Sequence, residues 1–158
     1  MPRGLSPADL ADIHRSLALF AHIFDNRLEE ELDLVFTEDV TVGNSLGAGY
    51  EVTGFDQARA FLRRMTADTA DHNTLNPVVL VHEDGTVRVR SRYIAVLPDG
   101  SIHNGEYFDV LRFTPKGWRI SYRMSAPRFP RVECVQLSES FLDHWRPTAA
   151  RLPDIVPQ

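Results

Sequence analysis

A chain of 158 residues is the size of one domain around one core, and its 43% apolar and 25% charged content is that of an ordinary globular protein. Its net charge of −5 argues against a nucleic-acid surface, which normally needs a basic stripe. The lone cysteine, Cys134, excludes an internal disulfide and a cysteine-built metal cluster, and no apolar run reaches the roughly 20 residues that cross a bilayer.

The first six residues lack the apolar stretch of a secretory signal, so a cytoplasmic location is expected. Helix one opens with Ser6 as cap, Pro7 in the first turn and Asp9 where a capping box wants an acid. Leu10, Ile13, Leu17, Phe20 and Phe24 recur at three- and four-residue steps and predict one buried stripe. Asp25 falls at the end of that helix, and Asn26-Arg27 breaks it. Leu28, Leu32, Val35 and Phe36 predict a shorter second helix.

Residues 41 to 52, with glycines at 43, 47 and 49, read as a weakly ordered strand and loop. After Gly54 a third helix is expected, with Phe55, Ala58, Phe61, Leu62 and Met65 on one face and Arg59, Arg63 and Arg64 towards solvent.

From Leu75 the period changes to that of strands. Strands are expected over 75–82, 87–96, 103–113 and 118–124, separated by turns at Glu83-Asp-Gly85, Pro98-Asp-Gly100 and Pro115-Lys-Gly117. In 87–96, Val87, Val89, Ser91, Tyr93 and Ala95 share one face, and Arg88, Arg90, Arg92, Ile94 and Val96 the other. The arginine row reads as a solvated or oligomer-facing surface. By the same parity Trp118, Ile120, Tyr122 and Met124 share a face, as core or as the floor of a cavity. Residues 137–145 predict a short last helix capped by Ser138, followed by a proline-containing tail from Pro147.

Helices first and an antiparallel meander afterwards is an α+β order: a curved sheet wrapped around three or four helices, enclosing a cone-shaped pocket. One domain over 1–158 is expected, with its core at about 6–128 and a C-terminal extension over 129–158.

Two segments carry chemistry. Phe20-Ala-His-Ile-Phe-Asp25 ends helix one, and Asp71-His-Asn-Thr-Leu-Asn-Pro77 leads into the strands. With Leu34-Val-Phe-Thr-Glu-Asp-Val40, Gly54 and Ala58-Arg-Ala-Phe-Leu62, Gly105-Glu-Tyr-Phe-Asp109 and Gly117-Trp-Arg-Ile120, their order resembles the SnoaL-like branch of the nuclear transport factor 2-like superfamily over about residues 8 to 128. The resemblance implies that Asp25 and His72 face each other in one pocket as a catalytic pair, without metal or cofactor. An imidazole near its ordinary pKa moves protons at neutral pH, and a carboxylate on one ring nitrogen fixes its tautomer. Scytalone dehydratase-type relatives carry a tyrosine just before the aspartate; here it is Phe24.

Tyr50, Tyr93 and Tyr107 are candidate substrate contacts and electrophilic donors, with Trp118 on the cavity floor. Asp109 is either a second pocket acid or half of an ion pair with Arg90, Arg92 or Arg123, and Glu106 points to the opposite face. His103 is a weaker candidate beside a turn. His14, His22 and His144 show no metal-ligand spacing.

The reaction implied is dehydration, cyclisation or isomerisation of a small, largely apolar organic or polyketide-like molecule. The expected partners are that small molecule and further copies of the chain, as a homodimer or higher homo-oligomer. Two other readings stay open: a non-catalytic subunit like those of ring-hydroxylating dioxygenases, and an epoxide hydrolase or epoxide-opening cyclase.

Overall fold

The computed structural model describes residues 4–44, 50–65, 69–82, 84–131 and 139–145. In chain order these form α1 (Pro7–Asp25), a 3-10 helix (Glu29–Leu34), β1 (Phe36–Asn44), β2 (Tyr50–Thr53), α2 (Gly54–Arg64), β3 (Asp71–Val81), β4 (Val87–Val96), β5 (Ile102–Thr114), β6 (Gly117–Phe129) and α3 (Glu139–His144). Ser138 and the tail from Pro147 lie outside the described residues.

Helix α1 begins as its capping chemistry dictates. Ser6 Oγ accepts the Asp9 N–H, and the Asp9 carboxylate accepts the Ser6 N–H at 2.8 Å. Its buried stripe is Ile13, Ser16, Leu17, Phe20, Ile23 and Phe24. Leu10, expected in the stripe, is 37% exposed. The second helix is shorter than expected. It stops at Leu34, and the β-branched and aromatic run that follows extends as β1 from Phe36.

The six strands lie in the order β2-β1-β6-β5-β4-β3 in one curved, unclosed sheet. All neighbours are antiparallel except β1 and β6, which run parallel. Helix α1 packs across β3 and β6, and α2 closes over β1 and β2. The main core lies between helices and sheet, around Phe20, Phe24, Phe36, Leu62, Tyr107 and Ile120. A smaller one lies on the opposite sheet face, where Phe141 and Trp145 of the α3 segment cover Phe108, Tyr122 and Met124.

Two departures from the expected strands shape the interior. Strand β3 starts at Asp71, so His72 is already on the sheet, opposite Ala95. In β6 the register jumps: Leu111 faces Ile120 but Val110 faces Tyr122, leaving Ser121 as a bulge. Trp118 and Ile120 therefore pack with the main core, while Tyr122 and Met124 turn to the other face, correcting the single face expected for all four.

The arginine row is also corrected. Arg88 is 8% exposed and its Nε donates to the His144 carbonyl at 3.0 Å. Arg90, Arg92 and Arg128 converge on Glu106, which is 1% exposed. Arg88 and Arg90 are thus held within the protein, while the Arg92 side chain stays 46% exposed beside Glu106.

Candidate active site

Asp25 sits on the last residue of α1 and His72 on the second residue of β3. The first places a carboxylate where the helix ends; the second aims a ring inward by strand alternation. Asp25 Oδ2 accepts the His72 backbone N–H at 2.6 Å, and Oδ1 lies 2.8 Å from His72 Nδ1. A carboxylate only accepts, so Nδ1 carries the hydrogen and Nε2 of the neutral ring presents its lone pair. The Asp25 side chain is 9% exposed and that of His72 26%, so the carboxylate is shielded and the ring is reachable.

The ring opens on a chamber of about 140 Å³ beneath α1 and α2. Phe20, Phe24 and Phe61 supply its apolar walls, and Tyr50, Tyr93 and Tyr107 its aromatic polar ones. Tyr93 and Tyr107 stack with centroids 4.7 Å apart, and Tyr50 stacks on Phe61 at 4.8 Å. Burial, with a contribution from Tyr50, pushes the Tyr93 phenol up to about 12. Burial pushes Tyr107 up as well, against the pull of the Arg123 cation. Both therefore remain hydrogen-bond donors across the neutral range, not bases.

The lining residue that reading the sequence missed is Arg123. It is 1% exposed, and its guanidinium lies 4.1 Å from both the Phe20 and the Tyr107 ring centroids, clamped between them. Nε and Nη2 donate to the two carboxylate oxygens of Asp109, each at 2.7 Å. Nη1 is buried without a hydrogen-bond partner, on a side chain that lines the chamber. Only the Ser121 bulge brings this residue to the inner face, and nothing in the hydrophobic alternation signals a bulge there.

Two expected contacts are corrected. Asp109 is fully buried behind the chamber as the partner of Arg123, so the ion-pair alternative holds and it presents no free oxygen to a ligand. Burial holds its carboxyl above the ordinary range while Arg123 pulls the other way. Trp118 lies near the other end of α1. Its indole donates to Asp9 and its backbone N–H to Asp12, about 20–24 Å along the helix from Asp25. His103, with Arg64, lines a wider outer groove that His72 and Tyr93 also border. Among the described residues no group of three His, Cys, Asp or Glu is arranged to hold a metal ion.

Residues 7–124, most of the chain, match the model of the SnoaL-like domain. This chain belongs to the SnoaL-like family. Solved structures agree on its fold. An aromatic ring hydroxylase candidate from Novosphingobium aromaticivorans shares 26% identity at a TM-score of 0.64, over 80% of this chain and 94% of that one. A scytalone dehydratase candidate from the same organism shares 20% at 0.67, over 82% and 92%. ActVI-ORFA from Streptomyces coelicolor shares 17% at 0.62, over 75% and 96%. Another such neighbour, an NTF2-like protein with a cystatin-like fold from Novosphingobium aromaticivorans, shares the fold at 21% identity and a TM-score of 0.67, over 79% of this chain and 85% of that one. No curated protein matches it. Among the described residues no helix of this SnoaL-like protein is long and apolar enough to cross a membrane.

Proposed function

We propose that this SnoaL-like protein is an acid–base enzyme that removes a proton from carbon beside a carbonyl of a small, mostly apolar organic molecule. The outcome is dehydration, cyclisation or isomerisation. The observation that carries the reading is the 2.8 Å contact of His72 Nδ1 with Asp25, on a ring that borders a chamber also lined by Arg123.

The chemistry follows from the three groups. The substrate carbonyl accepts a hydrogen bond from Arg123 Nη1, the buried donor without a partner. His72 Nε2 takes the α-proton, and the electrons of that C–H bond pass into an enolate whose oxygen Arg123 stabilises. Asp25 stabilises the imidazolium and keeps its ring in place. In a dehydration the enolate collapses, the β-carbon loses its hydroxyl, and the proton on His72 leaves with that hydroxyl as water. Tyr93 or Tyr107 supplies a second donor to either oxygen, since neither hydroxyl hydrogen-bonds to a described residue. Asp109, committed to Arg123 and away from the chamber, is not available to activate water, which argues against the epoxide-hydrolase alternative. The open chamber argues against the subunit alternative, in which side chains fill the interior.

The same proposal takes the outer sheet face as the contact between copies of the chain. Val96, Ile102 and Phe129 share that face and are 39%, 61% and 47% exposed.

The test is proton exchange, which needs no knowledge of the final product. Small cyclic β-hydroxy ketones in D2O, followed by NMR, should lose their α-proton faster with the wild-type protein. His72→Ala should bring the rate to background while circular dichroism stays unchanged. Exchange that persists in His72→Ala, or no acceleration by the wild type with any such ketone, rules the reading out.

A further inference from the structure

The chamber is small: about 140 Å³ is close to the size of a cavity that takes a single benzene ring. It does not end at His72. Asn44, Met65, His72 and Tyr93 line both this chamber and an adjoining groove of about 530 Å³. The imidazole thus stands at the neck between a narrow closed end and a wide open one.

The open end differs in chemistry from the closed one. Arg64, on the last turn of α2, and His103, on β5, form part of its walls, and none of its described lining residues is acidic. The other arginines of α2 are engaged: Arg63 with Glu29 at 2.7 Å and Arg59 with Asp56 at 3.7 Å. Arg64 is exposed and makes no hydrogen bond or ion pair with a described residue. His103 faces Ala95 across β5 and β4, and Ala95 faces His72 across β4 and β3, so both imidazoles lie on one sheet face with one alanine between them. The carboxylate near His103, Asp99, accepts the Ser101 N–H at 2.9 Å. A cationic mouth on a chain of net charge −5 attracts anions where most of the surface repels them.

We propose that the outer groove is a subsite for a carboxylate, so that the substrate is a bipartite organic acid. Its reacting end is one ring in size and enters the chamber; its acidic arm lies in the groove on Arg64, with His103 as a second donor. One guanidinium fork matches one carboxylate, and the groove offers no second arginine for a dianion. The orientation assigned to the two ends rests on the chamber being the reacting site proposed above.

The experiment measures calorimetric affinities of the full chain for phenylacetate, phenylpropanoate and phenylpentanoate, and for the amide of each. The carboxylate preference should grow with arm length, reaching roughly five-fold for phenylpentanoate over its amide, and should vanish in Arg64→Gln. The preference is read in each variant as the ratio of carboxylate to amide affinity. The proposal is overturned by equal binding of carboxylate and amide at every length, by a preference that survives Arg64→Gln, or by no binding of any carboxylate. A preference lost in Arg123→Gln but kept in Arg64→Gln would put the anion in the chamber and overturn it too. His72→Ala should keep the length-dependent preference. Proton exchange that persists in His72→Ala, or is absent from the wild type, with that preference intact therefore counts against the catalytic reading alone, and His72-dependent exchange without the preference counts against the subsite alone.

Discussion

Asp25 binds His72 twice, through its backbone N–H and through its ring, so one carboxylate fixes both where the residue begins and how its imidazole is turned. Arg123 is fixed the same way, by a two-pronged contact to Asp109 and by two aromatic faces. That pair also carries stability. Arg123→Met leaves Asp109 buried without its partner and should cost about 3–5 kcal/mol in chemical denaturation. The double variant Arg123→Met/Asp109→Leu replaces the pair with apolar bulk and should regain most of that loss without regaining proton exchange. Recovered exchange would show that Arg123 serves the fold and not the chemistry. Tyr93 gives a pH signature. Its phenol titrates at 10.0 when free and at about 12 in the fold, so the unfolded chain gives up this proton first. The stability tied to Tyr93 is present in full below pH 10 and falls as pH rises towards about 12. Tyr93→Phe should therefore show a shallower loss of stability over that alkaline window, measured by urea titration at successive pH values.

Strands β5 and β6 decide what enters the chamber. Gly105 faces Tyr93 across β4 and β5, and a Cβ built there would collide with the Ala126 carbonyl oxygen and lie 2.6 Å from the Tyr93 ring. The missing side chain is what lets that ring lie flat on the sheet beside His72, with centroids 6.2 Å apart. Gly105→Ala should cost about 1–3 kcal/mol and move the Tyr93 ring resonances in NMR spectra. The bulge at Ser121 marks the limit of what the sequence discloses at this scale. The alternation of β4 was legible, because no irregularity interrupts its pairing with β5. That of β6 was not: a one-residue insertion inverts the side chains that follow as far as Pro127, and it put Arg123 inside and Tyr122 outside against the simple parity. The end of α1 was legible because capping, stripe and break all agree there. The strand character of Asp71–Thr74 was not, since these polar residues gain their ladder only from pairing with β4.

For the molecule as a whole, the order of elements made the helices-then-meander architecture readable, and the sequence likeness supplied the family. What lay out of reach was the outer face, because the cover given by the α3 segment and the convergence of Arg90, Arg92 and Arg128 on Glu106 depend on contacts distant in sequence. Beside that covered area the exposed Ile102 and Phe129 remain. Sedimentation should show the wild type as an oligomer and Ile102→Asp shifted towards monomer, without loss of helix content; an unchanged distribution would remove that face from the proposed contact. The account depends most on the state of one ring. A two-bond proton–nitrogen correlation spectrum at about pH 8, with His72 assigned by its absence in His72→Ala, reads that state directly. The hydrogen should reside on Nδ1, facing Asp25, with Nε2 bare towards the chamber; a hydrogen found on Nε2 instead would contradict the base assigned to this site.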